Sequence, residues 1–456
     1  MTVGRRVFLG AGVSALVWAA LKPALSETPQ IAEADGFRLV KAGPVLAKVA
    51  PDAAPTNALG YDGATPGPLL RLRIGAELKL RLLNALDEPT TFHWEGLRVA
   101  NPVAGVGGLT QPPIPPGGHF DYVFKPLDAG LAWYSPHVGA RSAGQLARGL
   151  FGPIIVDEAE PPAVDLEAIV ALQDWRLDAQ GQIDQGTPKP GEARLGGKIG
   201  TNGAAAPLAF SSLRGARVRL RLVNASAARV MIIAIEGLKP MIVAIDGQPS
   251  EPFEPLRNQF PMGPGARFEL MFDIAGEEGA TARFILRGGD AAPIASEPDR
   301  PLIIFTASGE SAPKRPPLAG LPPNPLLPKE IDLARAQRAD ITLAGGDGAP
   351  VTLNGETLAK PWPEKPLLAV PRHTPVTLGL VNTTSTIQAV RFGGHVGRLL
   401  HPLDDGWEPY WRDNILIAPR QKAHIAFVAD NPGQWPIESA NPDFAAAGFR
   451  TFFQVA

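Results

Sequence analysis

The amino-acid sequence predicts an all-β chain made of three consecutive Greek-key β-sandwich domains. Three observations lead there. A short strand motif occurs three times, a turn-plus-strand element follows each copy, and the composition is rich in turn formers and poor in helix signals. At 456 residues the chain is long enough for about three domains of roughly 150 residues each.

The strand motif is Leu80-Arg81-Leu82-Leu83-Asn84-Ala85. It recurs as Leu220-Arg221-Leu222-Val223-Asn224-Ala225 and as Leu378-Gly379-Leu380-Val381-Asn382-Thr383. The alternation is that of a half-buried strand ending in a turn residue. The second element starts at Pro116-Gly117, Pro264-Gly265 and Pro419-Arg420 and continues into strands ending at Phe124, Phe272 and Phe427. Both elements recurring in the same order mark a true internal repeat.

The repeat sets the boundaries. The first domain is expected over residues 30–160, the second over 163–308 and the third over 338–456, with a Pro-rich linker at 309–337. That linker contains Ala312-Pro313-Lys314-Arg315-Pro316-Pro317, a composition that favours an extended path over the surface. The best helix candidate is Ser142 to Arg148. Gly and Pro number 49 each, which suits many turns. The absence of cysteine excludes disulfides and thiolate ligands, so stability must come from packing. A net charge of -2 with no basic patch argues against a nucleic-acid partner.

Residues 1–26 have the form of a twin-arginine signal peptide. Arg5-Arg6-Val7-Phe8-Leu9 precedes an apolar stretch from Gly10 to Leu21, and Ala24-Leu25-Ser26 places the expected cleavage after Ser26. The apolar run is too short for an ordinary membrane span. The expected location is therefore the periplasm, with export by the twin-arginine pathway, no membrane span after cleavage, and a monomeric state.

Several stretches resemble the multicopper oxidase family. Phe92-His93-Trp94-Glu95-Gly96-Leu97 is similar to that family's His-Trp-His-Gly-Leu, and Thr110-Gln111-Pro112-Pro113-Ile114-Pro115-Pro116-Gly117 to its Thr-Gln-x-Pro-Ile-x-Pro-Gly. Gly130-Leu131-Ala132-Trp133-Tyr134-Ser135-Pro136-His137 is similar to its Trp-Tyr-His-x-His segment, and Asn431-Pro432-Gly433-Gln434-Trp435 leads towards its last copper motif. The resemblance covers nearly the whole chain and implies cupredoxin-like domains.

It also implies two metal positions, which can be compared residue by residue. At the trinuclear position, between the first and third domains, the resemblance places His93, Glu95, Ser135, His137, Arg391, Gly393, Glu438 and Ala440. Only His93 and His137 keep the family's residue. At the blue-copper position it places Gln388, Ser439, Phe444 and Phe449, with serine where the thiolate would stand. On this ground no cofactor is expected and copper is unlikely. The register of Arg391 rests on the repeat, because its spacing from Asn382 matches that of His93 from Asn84.

The blue-copper position is expected to be repacked with apolar side chains. At the trinuclear position Arg391 is expected to supply the positive charge, pairing with Glu95 or Glu438, because a buried carboxylate without a partner would protonate. An alternative is a mononuclear metal site of His93, His137 and Glu95. The remaining histidines, His119, His373, His395, His401 and His424, are expected to be structural or solvent-facing. No Gly-x-Ser-x-Gly, phosphate-binding loop or His-Glu-x-x-His is present.

The layout is also similar to that of a periplasmic, twin-arginine-exported member of the family in enterobacteria that supports the cell-division machinery. The resemblance implies a non-catalytic interaction or scaffold protein in cell-envelope or division maintenance, with a periplasmic protein partner. The alternatives are an enzyme that uses the residual His93/His137/Glu95 site and a periplasmic metal-binding protein.

Overall fold

A computed structural model describes residues 33–456 except 51–52, 185, 187–193, 294–296, 347, 359 and 402–405. The signal segment and its cleavage point lie outside the described residues. The described part is almost entirely β, in six sheets.

The two repeat elements are neighbouring strands of one sheet in each third of the chain. Leu78–Asn84 pairs antiparallel with His119–Phe124, Arg217–Asn224 with Arg267–Asp273, and Thr374–Asn382 with Lys422–Ala429. Equivalent partners face each other: Leu80 with Tyr122, Leu220 with Leu270, Leu378 with Ile425. On its other side each first strand takes a parallel partner, respectively Phe37–Ala47, Leu166–Trp175 and Gln337–Gly346. A second sheet of four or five strands faces the first in each case. Three sandwiches follow, as the repeat predicts.

The asparagine that ends the first repeat element is a buried hydrogen-bonding hub. The Asn224 amide donates to the carbonyls of Arg229 and Met262, and its oxygen accepts from the Ser226 amide and hydroxyl. Asn84 and Asn382 do the same for their own turns. The turn before the second element needs a positive φ. Glycine provides it at Gly117 (φ 72°) and Gly265 (φ 80°), and Arg420 adopts it at φ 61° in the third copy.

One expectation needs correction. Arg217–Asn224 is not half-buried: all eight residues are buried. Arg219 and Arg221 point into a junction with the first domain, where paired carboxylates remove the need for water. Arg219 bonds Glu158 and Glu269, and Arg221 bonds Glu167 and Glu269. Glu269 in turn accepts from the Leu131 amide at 3.0 Å. The linker is also stitched down. Arg315 pairs with Asp165, and buried Asn324 bonds Ala129 and Gln248.

The helix Arg141–Ala147 starts one residue earlier than expected. A second helix, Pro442–Ala447, was not anticipated from the sequence. Asn441 caps it by accepting from the Asp443 amide, Pro442 opens it, and Gly448 at φ 136° ends it.

The apolar interior is shared unevenly. Residues of the first and third domains form one continuous core, while the second has its own. The interface between the first and third domains is therefore the part of the molecule packed like an interior. Substituting Asn224→Ala would remove the side-chain partner of the buried Met262 carbonyl and of the buried Ser226 amide, while the Arg229 carbonyl keeps the Ser226 hydroxyl. The expected cost is about 2–4 kcal/mol, read as a lower urea midpoint with an unchanged m-value.

Candidate functional site

The trinuclear position lies where strands of the first and third domains meet. His93 and Glu95 come from His93–Glu95, which pairs with Gly130–Ser135 so that His93 faces Ser135. Arg391 sits on Gln388–Phe392 directly opposite Glu438 of Gly433–Ser439. His93, Glu95, Ser135, His137 and Glu438 are all buried.

Arg391 bridges the domains as the sequence suggests, but with both carboxylates rather than one. Its Nε and Nη2 donate to Glu438 Oε1 at 3.0 and 2.8 Å, and its Nη1 donates to Glu95. The fork geometry of guanidinium suits such a double contact. Burial opposes ionisation of both glutamates. The Arg391 guanidinium, together with the His137 contact to Glu438, outweighs it, so both carboxyls titrate below their usual range. His137 completes the cluster: its Nε2 donates to Glu438 Oε1 at 2.5 Å.

The two histidines are held differently. His93 donates from Nδ1 to the Ala104 carbonyl at 2.6 Å, and burial lowers its pKa to about 4. Its Nε2 is 3.7 Å from Glu95, beyond hydrogen-bond range. His137 lies with its ring centroid 5.2 Å from that of His93, and its Nδ1 is buried without a partner. The loop Gly105-Val106-Gly107-Gly108, read from the sequence as a turn, supports both. A Cβ on Gly105 would meet the Phe92 carbonyl at 2.1 Å, and the Gly107 amide donates to the His137 carbonyl. Gly393 and Ala440 contribute backbone only, through bonds to Pro436 and Ala389.

The blue-copper position is partly as expected. Phe444 and Phe449 stack at 5.6 Å with planes 20° apart. The polar pair is not excluded, however. Buried Gln388 donates to Thr384 and Thr386, and Ser439 accepts from the Asn441 amide. Gln388, Ser439 and Phe444 line a cleft of about 590 Å³, so the site is not wholly filled by apolar packing.

The fit of copper to these positions can be tested directly. Two imidazoles, a hydroxyl and two carboxylates surround a guanidinium, and a cation already pairs with both acids. The adjoining void is about 30 Å³, room for about one water. Among the described residues, no group of three or more His, Cys, Asp or Glu is placed to hold a metal ion. As arranged, these side chains do not fit a trinuclear cluster, nor the other four a thiolate-ligated copper. The mononuclear alternative is also not assembled, since Arg391 bonds the Glu95 carboxylate it would need.

Of the remaining histidines, His119, His373 and His424 are exposed. His395 is buried, donating from Nδ1 to Gly393 and accepting at Nε2 from the Asn431 amide. Sequence reasoning also missed Trp362, which stacks over His137 with planes 12° apart. Its one signal is its position in Pro361-Trp362-Pro363, an aromatic residue fixed between two prolines.

Two outcomes follow from this geometry. Arg391→Ala should destabilise the protein by about 3–5 kcal/mol, measured by urea unfolding, because two carboxylates lose their cation. Burial also lowers the His395 pKa to about 3, against about 6.5 unfolded. The folded state then binds fewer protons, so this stabilisation is full above pH about 6.5 and shrinks as pH falls towards 3. His395→Gln should flatten the decline of Tm between pH about 6.5 and 4.

Comparison with known proteins places the chain. Residues 46–161, 167–283 and 323–456 each match a family profile described as multicopper oxidase. Multicopper oxidase MmcO of Mycobacterium tuberculosis is 29% identical, over 98% of this chain and 95% of its own. Copper resistance protein A of Pseudomonas syringae is 30% identical over 43% of this chain and 40% of its own. The multi-copper oxidase crystal structure from Pseudomonas thermotolerans superposes with a TM-score of 0.79 at 32% identity, covering 92% of this chain and 98% of that one. These matches correct the expectation that the chain takes no cofactor and that copper is unlikely, because copper proteins are what it is similar to throughout. The misfit is confined to the side chains at those two positions, whereas the likeness to copper proteins extends over nearly the whole chain. By sequence and by structure over nearly its whole length, the chain belongs to the multicopper oxidase family.

Proposed function

We propose that this chain is a non-catalytic member of its family, exported through the twin-arginine pathway to the periplasm. There it serves as an interaction or scaffold protein in cell-envelope or cell-division maintenance. The observation that carries the reading is the Arg391 bridge from Glu95 of the first domain to Glu438 of the third. A reaction centre needs an accessible space and groups free to bind or exchange protons. Here the two acids are engaged by one guanidinium, and the void beside them is about 30 Å³. The arrangement resembles an internal tie between domains, and a shape held by such ties suits a protein that acts through its surface. Among the described residues no helix is long and apolar enough to cross a membrane, which is compatible with a periplasmic location.

A second reading has its own support. Family membership and the proximity of the His93 and His137 rings favour an oxidoreductase or other enzyme that uses a residual His93/His137/Glu95 site, which would require Arg391 to release Glu95.

Activity and location test the two. Protein expressed and purified with copper should consume no dioxygen with a phenolic substrate beyond a protein-free copper control. Turnover proportional to bound metal would instead establish the second reading. A tagged chain should fractionate with the periplasm, and the variant Arg5→Lys, Arg6→Lys should remain in the cytoplasm. Recruitment to midcell is expected for the division role, and an even distribution around the cell would remove that part.

A further inference from the structure

The buried Nδ1 of His137 has no partner among the described residues, and a side chain from a distant segment stacks on its ring. That side chain is Trp362, from the third domain, between strands Ala349–Leu353 and Ala369–Val370. Its indole is offset-parallel to the imidazole at 6.1 Å between centroids. Its Nε1 donates to the Gly107 carbonyl of the first domain at 3.2 Å, and the Arg450 guanidinium lies 5.3 Å from its ring centre. Trp362 is 8% exposed and His137 3%.

The anchoring is concentrated in that ring. Pro361 and Pro363 have no amide hydrogen to donate. Among the described residues, none makes a backbone hydrogen bond with residues 361–363. Outside the ring, Lys360 and Glu364 pair at 2.6 Å on the surface, where an ion pair contributes little. Among the described residues the next backbone hydrogen bond is at Leu367, whose amide donates to the Phe452 carbonyl. A segment with one buried anchor and stiff, unbonded flanks can lift locally while the sandwich beneath stays folded.

We propose that Pro361-Trp362-Pro363 is a removable plug over the interdomain histidines, and that His137 Nδ1 is the nitrogen it hides, available to small electrophiles or ligands when the plug lifts. The inference holds under either functional reading. Its basis is the cover over the ring, not the chemistry beneath.

Diethyl pyrocarbonate with peptide mapping tests it. The imidazole nitrogen takes an ethoxycarbonyl group, monoethyl carbonate leaves, and the ring proton passes to buffer. In the unaltered protein, exposed His119 and His424 should react quickly, and His137 slowly. Trp362→Ala should speed modification of His137 by about tenfold or more, with His395, buried against Phe427 and Phe453, still protected. Trp362→Phe keeps a ring over the imidazole and should restore most of the protection. If Trp362→Ala does not fold, Pro361→Gly with Pro363→Gly leaves the indole in place and should still accelerate His137 selectively. The plug is overturned if His137 reacts as fast as His119 in the unaltered protein. It is equally overturned if the variants leave His137 unchanged, or if His137 and His395 accelerate together.

Discussion

The contact between Arg391 and the two glutamates sets the terms for the rest of the interdomain region. A guanidinium buried between domains is tolerated only where carboxylates meet it, and a buried carboxylate stays ionised only beside a cation. Each therefore requires the other to be in place. Glu438 answers Arg391 from the neighbouring strand of the same sheet, so that half is secured within the third domain. Glu95 answers from the first domain, and this half exists only when the two sandwiches are docked. The continuous apolar core shared by these domains supplies the docking, and the ion pairs specify its alignment.

The same device appears at the other junctions. Arg219 and Arg221 connect strands of the second domain to Glu158. Arg267 of the second domain bonds Asp413 of the third at 2.9 and 2.6 Å, and Arg98 of the first pairs with Asp128 and with Asp430 of the third. Arginine is used at every one of these places. Its fork satisfies two acceptors at fixed geometry and it does not lose its proton on burial, whereas a lysine would present a single point charge. In a chain without cysteine, ties of this kind and packing are what join the domains. Their net stabilisation is small because desolvation offsets attraction, but misaligned docking would leave charges unpaired. They act chiefly on the precision of the assembly. Against that background the segment around Trp362 stands out as a cover held by one ring.

Much of this was legible from residue order. The threefold repeat identified adjacent strands in each sandwich, and the spacing from its asparagines placed Arg391 in register with His93. The asparagines read as turn residues in the sequence; their role as hubs for buried carbonyls depends on partners that only the fold brings close. The helix Pro442–Ala447 had an audible signal in Asn441, Pro442 and Gly448, but its brevity hid it between two apolar segments. Reading ligand positions one at a time led to the expectation that copper is unlikely. The likeness of nearly the whole chain to copper proteins corrects that expectation, since a residue-by-residue reading covers two positions and not the family to which the chain belongs.

By itself the sequence determined the all-β class, the three sandwiches and the register of their repeated strands. These follow from periodicity and turn chemistry, which act over a few residues and survive in linear order. Only the tertiary structure decided that one arginine serves two acids, that the arginines of Arg217–Asn224 are buried, and that Trp362 closes over His137. Those outcomes depend on desolvation and on partners brought from distant segments, such as the span of sequence between Glu95 and Arg391. Local pattern carries no record of which distant group will be there to meet a charge when water is removed.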